Sequence, residues 1–181
     1  MADKAFLDSL YNDYVDDLYS YAQNLGFDKQ TSMDAIHDVF CKIYANEKLL
    51  DKIQDIRFYL LRSLKNRLID IYRSQKAFQY LSLESTPDEL PFTVKLSVED
   101  EMISAEDYAS LKTKVEEILQ VLTDRQREII YLRYIYGYDY QKISELMHIS
   151  VPACHKLMHK AMTKLKENNR LPLVLLFILL S

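Results

Sequence analysis

Glycine and proline are scarce in this sequence. Two glycines and four prolines in 181 residues are too few for the turns of an all-β protein. Good helix formers such as Leu, Lys and Glu are plentiful instead, so the expected fold class is all-α. Cysteine is nearly absent too. Cys41 and Cys154 lie far apart, each within an apolar-periodic segment, and are read as buried, reduced thiols of a cytoplasmic protein. The first residues lack the basic and apolar regions of a secretion signal. No Walker loop or dinucleotide glycine motif occurs, so nucleotide chemistry of those types has no support. Near the end, LPLVLLFILLS is the longest apolar run. It falls far short of the roughly 20 residues that span a bilayer.

The net charge of −4 conceals alternating blocks. Residues 1–56 carry −6, residues 57–76 carry +5, residues 77–107 carry −7 and residues 108–167 carry +3. A polyanion responds to the nearest patch, since charges beyond about 10 Å are largely screened at physiological salt. The distribution therefore favours a nucleic-acid partner although the total does not.

Apolar periodicity marks the helices. Phe6, Leu10, Tyr14, Leu18, Ala22 and Leu25 form one face of a first helix that Gly26 stops. Thr31 and Ser32 are the expected caps of a second, with Ile36, Val39, Phe40, Ile43 and Tyr44 inward. A third runs from about Asp55 to Lys76 with Phe58, Leu61, Leu64, Leu68 and Ile71 on its buried side. Residues 1–76 thus make a small bundle. Residues 77–107, with two prolines and a string of acids, read as a linker. Residues 108–170 form a second helical unit, starting through Leu111, Val115, Ile118 and Leu122, and residues 171–181 are an apolar tail.

The second unit carries the sharpest local signals. Thr123 and Gln126 fit a capping box, and the helix after them reaches a stop at Gly137. Asp139 caps a short helix over residues 140–147. His148-Ile149-Ser150 is a three-residue turn, and Ser150 caps the last helix, with Pro152 in its first turn. Ala153, Leu157, Ala161 and Leu165 recur every four residues. Short helix, three-residue turn and longer helix describe a helix-turn-helix, whose second helix enters the major groove. His155, Lys156, His159 and Lys160 lie off the apolar stripe, on the side that would face DNA. In the first unit, Arg62, Lys65, Asn66, Arg73 and Lys76 are placed opposite the Leu61/Leu64/Leu68/Ile71 stripe. Beside Phe58, Tyr59 and Tyr72 they suit single-stranded DNA, in which phosphates meet cations and bases stack on rings. The alternative for either face is an ordinary solvated surface.

With these segments in view, DAIHDVFCKIYANEKLL and RFYLLRSLKNRLIDIYRSQKA resemble domain 2 of the sigma-70 family, extracytoplasmic-function group. LTDRQREIIYLRYIYGYDYQKISELMHISVPACHKLMHKAMTKLKE resembles that group's domain 4. The resemblance covers most of residues 6–167 in the family's order. It implies a sigma factor that binds core RNA polymerase and promoter DNA and is not an enzyme, with no cofactor and no metal. Asp34, His37, Asp38, Phe40 and Lys42 match the segment that docks on the β′ clamp helices. Arg62, Lys65, Asn66, Asp70, Tyr72 and Arg73, with Lys76 beside them, match the helix that recognises and melts the −10 element. Ser150, Ala153, His155, Lys156, His159 and Lys160 fall on the −35-reading helix of a domain that sits on the β flap. The acidic linker matches the segment threaded through the polymerase, where its charge would mimic RNA.

The chain also departs from the family. Where Thr-Val-Lys and then an Arg are usual, it has Ala153, Cys154, His155 and Leu157. A neutral imidazole and a Leu cannot make the bidentate contacts of Arg. This predicts weak autonomous −35 reading and leaves room for a recruiting protein, as well as for an anti-sigma factor. Two other functions compete. An enzyme would use Asp34, His37 and Asp38 as metal ligands, although nothing in the sequence completes such a site. A helix-turn-helix regulator acting without core polymerase would leave the basic helix and the acidic linker without a role.

Overall fold

The computed structural model describes residues 4–46, 50, 52–79, 90–94 and 117–167. The chain divides into two compact units, Met1–Leu90 and Pro91–Ser181. All regular structure among the described residues is helical, as the shortage of glycine and proline implies. The acidic residues 95–107 and the tail 171–181 lie outside the described residues.

The first unit packs three helices, each against the other two: α1 (Lys4–Asn24), α2 (Lys29–Ala45) and α3 (Ile56–Gln79). Leu7, Leu10, Leu18, Tyr21 and Ala22 form the buried stripe of α1, and Leu25 continues it. Phe6, expected inside, is 52% exposed, because Leu7 takes the inward position one residue later. Gly26 then adopts φ +82°, and the Phe27 N–H closes back on the Ala22 carbonyl at 3.3 Å. This left-handed stop leads directly into the cap of α2. That cap is Asp28, not Thr31 or Ser32. Its carboxylate accepts from the Thr31 N–H at 3.0 Å and the Thr31 hydroxyl at 2.8 Å. Those two bonds hold the Asp28 pKa below the ordinary carboxylate value. The Ser32 hydroxyl is buried and donates to the Asp28 carbonyl.

Helix α2 buries Ala35, Ile36, Val39, Phe40 and Ile43. Tyr44, expected inside, is half-exposed and donates its hydroxyl to the Leu7 carbonyl. Asp55 caps α3 by accepting from the Phe58 N–H at 3.0 Å. The buried side of α3 is Leu60, Leu61, Leu64, Leu68 and Ile69. Phe58 and Ile71 lie only at its edge. Two ion pairs join α3 to its neighbours, Arg57 to Asp17 on α1 and Arg67 to Asp38 on α2, both at 2.7 Å.

The second unit contains α4 (Asp124–Tyr134), α5 (Tyr140–Met147) and α6 (Val151–Glu167), preceded by a helical turn at residues 117–119. The capping box closes as expected. The Thr123 hydroxyl accepts from the Gln126 N–H, and the Gln126 side chain accepts from the Thr123 N–H. Such a cap contributes roughly 1 kcal/mol. Gly137 supplies the left-handed residue between α4 and α5.

Residues 91–94, expected to be linker, belong to this unit. Phe92 is fully buried, with its ring 5.5 Å from that of Tyr131 in edge contact, and Val94 is buried as well. The aromatic row continues through Tyr136 to Tyr138. Burying a side chain of this size stabilises by roughly 1.5–3 kcal/mol. Arg127 completes the joint. Its Nε donates to the Phe92 carbonyl at 2.6 Å, its Nη1 to the Leu122 and Leu119 carbonyls, and its Nη2 to Asp124. One guanidinium thus satisfies carbonyls at the end of the preceding helical turn and fixes the incoming segment.

Candidate nucleic-acid and polymerase interfaces

On the outer face of α2, Asp34, His37, Cys41 and Lys42 are exposed. Asp38 shares that face but is already held by Arg67. Phe40 does not share it. It is 2% exposed, and its ring sits 4.9 Å from Tyr11 in edge contact, so it supports this face from inside. Cys41 is exposed, contrary to its expected burial, whereas Cys154 is buried and its thiol pKa is pushed up by desolvation. Among the described residues no three His, Cys, Asp or Glu side chains are grouped to hold a metal ion.

Helix α3 presents Arg62, Asn66, Asp70 and Arg73 outward. Tyr72 and Lys76 are half-buried, and the Lys76 ammonium lies 4.6 Å from the centre of the Tyr72 ring. Lys65 departs from the expected row, being only 5% exposed. It follows Leu61 by four residues, so it falls on the edge of the apolar stripe, where a long aliphatic stem lies down on apolar surface. The exposed cationic row is therefore Arg62 and Arg73, with Asn66 between them.

In the second unit, α5 and α6 form the expected helix-turn-helix. Asp139 caps α5 by accepting from the Lys142 N–H at 2.8 Å. His148 ends it at φ +51°, a left-handed conformation that periodicity alone does not reveal. The Ile149 N–H then closes on the Ser144 carbonyl. Ser150 accepts from the Ala153 N–H at 3.3 Å and starts α6. The buried stripe of α6 is Cys154, Met158, Ala161 and Leu165. Ala153 and Leu157, expected on the stripe, are half-buried at its flank because a step of three residues intervenes between Met158 and Ala161.

His155, Lys156, His159 and Lys160 are exposed as expected. Tyr140, at the start of α5, packs on His155 with ring centres 4.0 Å apart. The guanidinium carbon of Arg133 lies 5.3 Å from the Tyr140 ring centre. Tyr140, Met158, Met162 and the two histidines, with Lys156 and Lys160, line a groove of about 630 Å³ along α6. The arginines of α4 also donate to backbone carbonyls. Arg125 donates to the Met147 carbonyl at the end of α5, Arg133 to the Tyr138 carbonyl, and Arg127 to the joint at Phe92. Arg125, Arg127 and Arg133 thus each donate to backbone carbonyls of their own unit.

A three-helix bundle with one cationic face, followed by a helix-turn-helix, has a counterpart among known families. Residues 10–78 match the family described as Sigma-70 region 2, and residues 112–165 match Sigma-70, region 4. The chain belongs to the sigma-70 family. Together the two regions cover more than half of the chain, in the family's order. The sigma factor is 23% identical over 165 residues to the ECF RNA polymerase sigma factor SigX of Bacillus subtilis (strain 168), covering 90% of this chain and 82% of that one. It is 22% identical to SigM of the same organism, covering 88% and 93%, and 24% identical to SigW, covering 87% and 85%. The fold is similar to that of CnrH in a structure of its complex with the cytosolic domain of CnrY. The TM-score is 0.53 at 19% identity, over 92% of this chain and 88% of that one. This sigma factor is of the extracytoplasmic-function type and serves transcription initiation. Sigma factors work with core RNA polymerase and promoter DNA, as regulatory subunits. No helix among the described residues is long and apolar enough to cross a membrane.

Proposed function

We propose that this sigma factor divides its work between the two units as follows. The outer face of α2, with Asp34, His37, Lys42 and the Arg67-held Asp38, docks on the β′ clamp helices of core polymerase. The outer face of α3 engages the melted −10 element through Arg62, Asn66, Asp70 and Arg73, with Tyr72 and Lys76 at its edge. The second unit sits on the β flap and lays α6 in the major groove at the −35 element, with Ser150, Ala153, His155, Lys156, His159 and Lys160 nearest the DNA. Lys65 acts from inside the bundle. The acidic residues 77–107 run through the polymerase, and the whole acts in the cytoplasm without catalytic chemistry of its own. A protein that restrains or delivers the factor fits the same scheme, as the cytosolic domain of CnrY is found in complex with CnrH.

The observation that carries this assignment is the pair of exposed arginines on α3, within a helix that carries +5 over residues 57–76 next to a −6 block over residues 1–56. A polyanion that reaches unpaired bases is the partner such a helix suits. The test is reconstitution with core polymerase. The full chain should co-purify with core and produce permanganate-reactive thymines near the start site of its promoter. A chain that binds duplex operators equally well without core is instead a free-standing regulator.

A further inference from the structure

The side chains on the outer face of α6 are unusual for a DNA-reading helix, and they limit what it can read. The helix has no Arg, Asn, Gln or Asp, and its one Glu, Glu167, is its last residue. Bidentate recognition of guanine by Arg, or of adenine by Asn or Gln, is therefore excluded, as is acceptance from cytosine near the start of the helix. Each hydroxyl already serves the backbone, Ser150 accepting from the Ala153 N–H and Thr163 donating to the His159 carbonyl. The capacity left to them is a single contact that does not distinguish one base from another. Thioethers, imidazole faces and one phenol ring remain, gathered in the groove of Tyr140, His155, Met158, His159 and Met162. Lys156 and Lys160 stand beside them. A lysine can also reach guanine O6 and N7, but without the fixed fork of Arg, and as flexible point charges these two suit phosphate. The imidazole of His155 is held against Tyr140, which Arg133 faces in turn, so this part of the groove is shaped before DNA arrives.

Only one group on a major-groove base edge is apolar, the C5 methyl of thymine. We infer that α6 reads thymine methyl groups in the −35 region through the Tyr140–His155–Met162 groove, while Lys156 and Lys160 hold the flanking phosphates. This rests on the assignment of α6 to the −35 element. It replaces hydrogen-bond readout by shape and methyl contact, and it lets His155 add one hydrogen bond to a neighbouring base without an arginine. Methionine suits the task, since an unbranched, polarisable side chain adapts to a methyl-studded surface.

The test uses the holoenzyme reconstituted from the full chain and core polymerase. Duplexes randomised across the promoter are selected for binding, and the winner is resynthesised with deoxyuridine for thymine in its upstream window only. Uracil pairs as thymine does but lacks the methyl. The expected result is upstream enrichment of thymine on one or both strands, with about a fourfold loss of affinity for each contacted methyl removed. In Tyr140→Ala and Met162→Ala holoenzymes the thymine-to-uracil ratio should fall toward one. Upstream selection that is indifferent to uracil overturns the methyl inference and leaves the −35 assignment standing. A holoenzyme that selects a downstream element but nothing upstream overturns both. The wild-type comparison decides the matter even if a variant misfolds.

Discussion

Arg67 on α3 donates through Nε and Nη2 to the same oxygen of Asp38 on α2, at 2.8 and 2.7 Å. The helix assigned to the polymerase and the helix assigned to the melted strand are therefore joined by one ion pair on the surface of the bundle. Both side chains are about two-fifths exposed, so solvent screens the pair and its contribution is at most about 1 kcal/mol. Asp38→Asn should leave helical content unchanged and lower the unfolding free energy by no more than that amount in a urea titration.

A docking test then belongs on the residues of α2 that nothing buries. Asp34→Lys combined with Lys42→Glu reverses two exposed charges and should abolish co-purification with core while the thermal midpoint stays near wild type. Phe40→Ala should behave differently. A core aromatic removed to alanine costs about 3–5 kcal/mol, so any loss of polymerase binding should track loss of the folded bundle. Intact core binding by the charge-reversed protein would remove α2 from the interface.

For the −10 face, Arg62→Ala with Arg73→Ala should preserve core binding and remove open-complex formation. If both arginines touch single-strand phosphates, the logarithmic salt slope should flatten by about 1.4. Lys65→Ala should leave that slope alone and appear in the thermal melt, since Lys65 is buried in the bundle. A melt unchanged by Lys65→Ala would show that its burial contributes nothing.

Arg127→Ala should weaken the second unit without weakening its electrostatic grip on DNA. It removes charged hydrogen bonds to three carbonyls, each worth about 1.5–3 kcal/mol, in a partly buried joint. The expected signature is a lower unfolding free energy with an unchanged salt slope for promoter binding. A flatter slope would instead assign Arg127 to the phosphates.

Acid stability should carry the mark of Asp28. Its folded-state pKa lies below the unfolded value, so its contribution is fully present above the unfolded pKa, near 4. That contribution fades as pH falls through the folded value. Asp28→Asn retains a capping oxygen and does not titrate. Its unfolding free energy should depend less steeply on pH below about 4, and identical acid limbs for the two proteins would show that the cap bonds do not survive in solution.

The helices were legible because their signals are local. Gly26, Thr123 with Gln126, Asp139 and Ser150 each act within a few residues of themselves, and each terminates or starts a helix where expected. The errors came from rotation and from distance. Phe6 and Leu7 differ by one step of the helix, as do Ala153 and Cys154, and only packing decides which neighbour turns inward. Lys65 is a charged residue at the margin of an apolar stripe, so composition placed it outside and its stem took it in. The commitment of Arg125, Arg127 and Arg133 to carbonyls between 5 and 35 positions away has no local signal at all. Counting charge therefore overstated what the second unit offers to DNA.

The anchoring of Phe92 also decides where this protein can be cut. A fragment that begins at residue 108, where the helical pattern suggests a domain starts, would leave the Tyr131 ring without its edge partner and Arg127 without one of its carbonyls. Such a piece would expose aromatic surface to water and invite self-association, and its poor behaviour could be mistaken for weak DNA affinity. A fragment beginning just ahead of Pro91 keeps the plug in its socket. Proteolysis should report the same boundary, with cleavage between Phe92 and Val94 suppressed as long as the second unit stays folded.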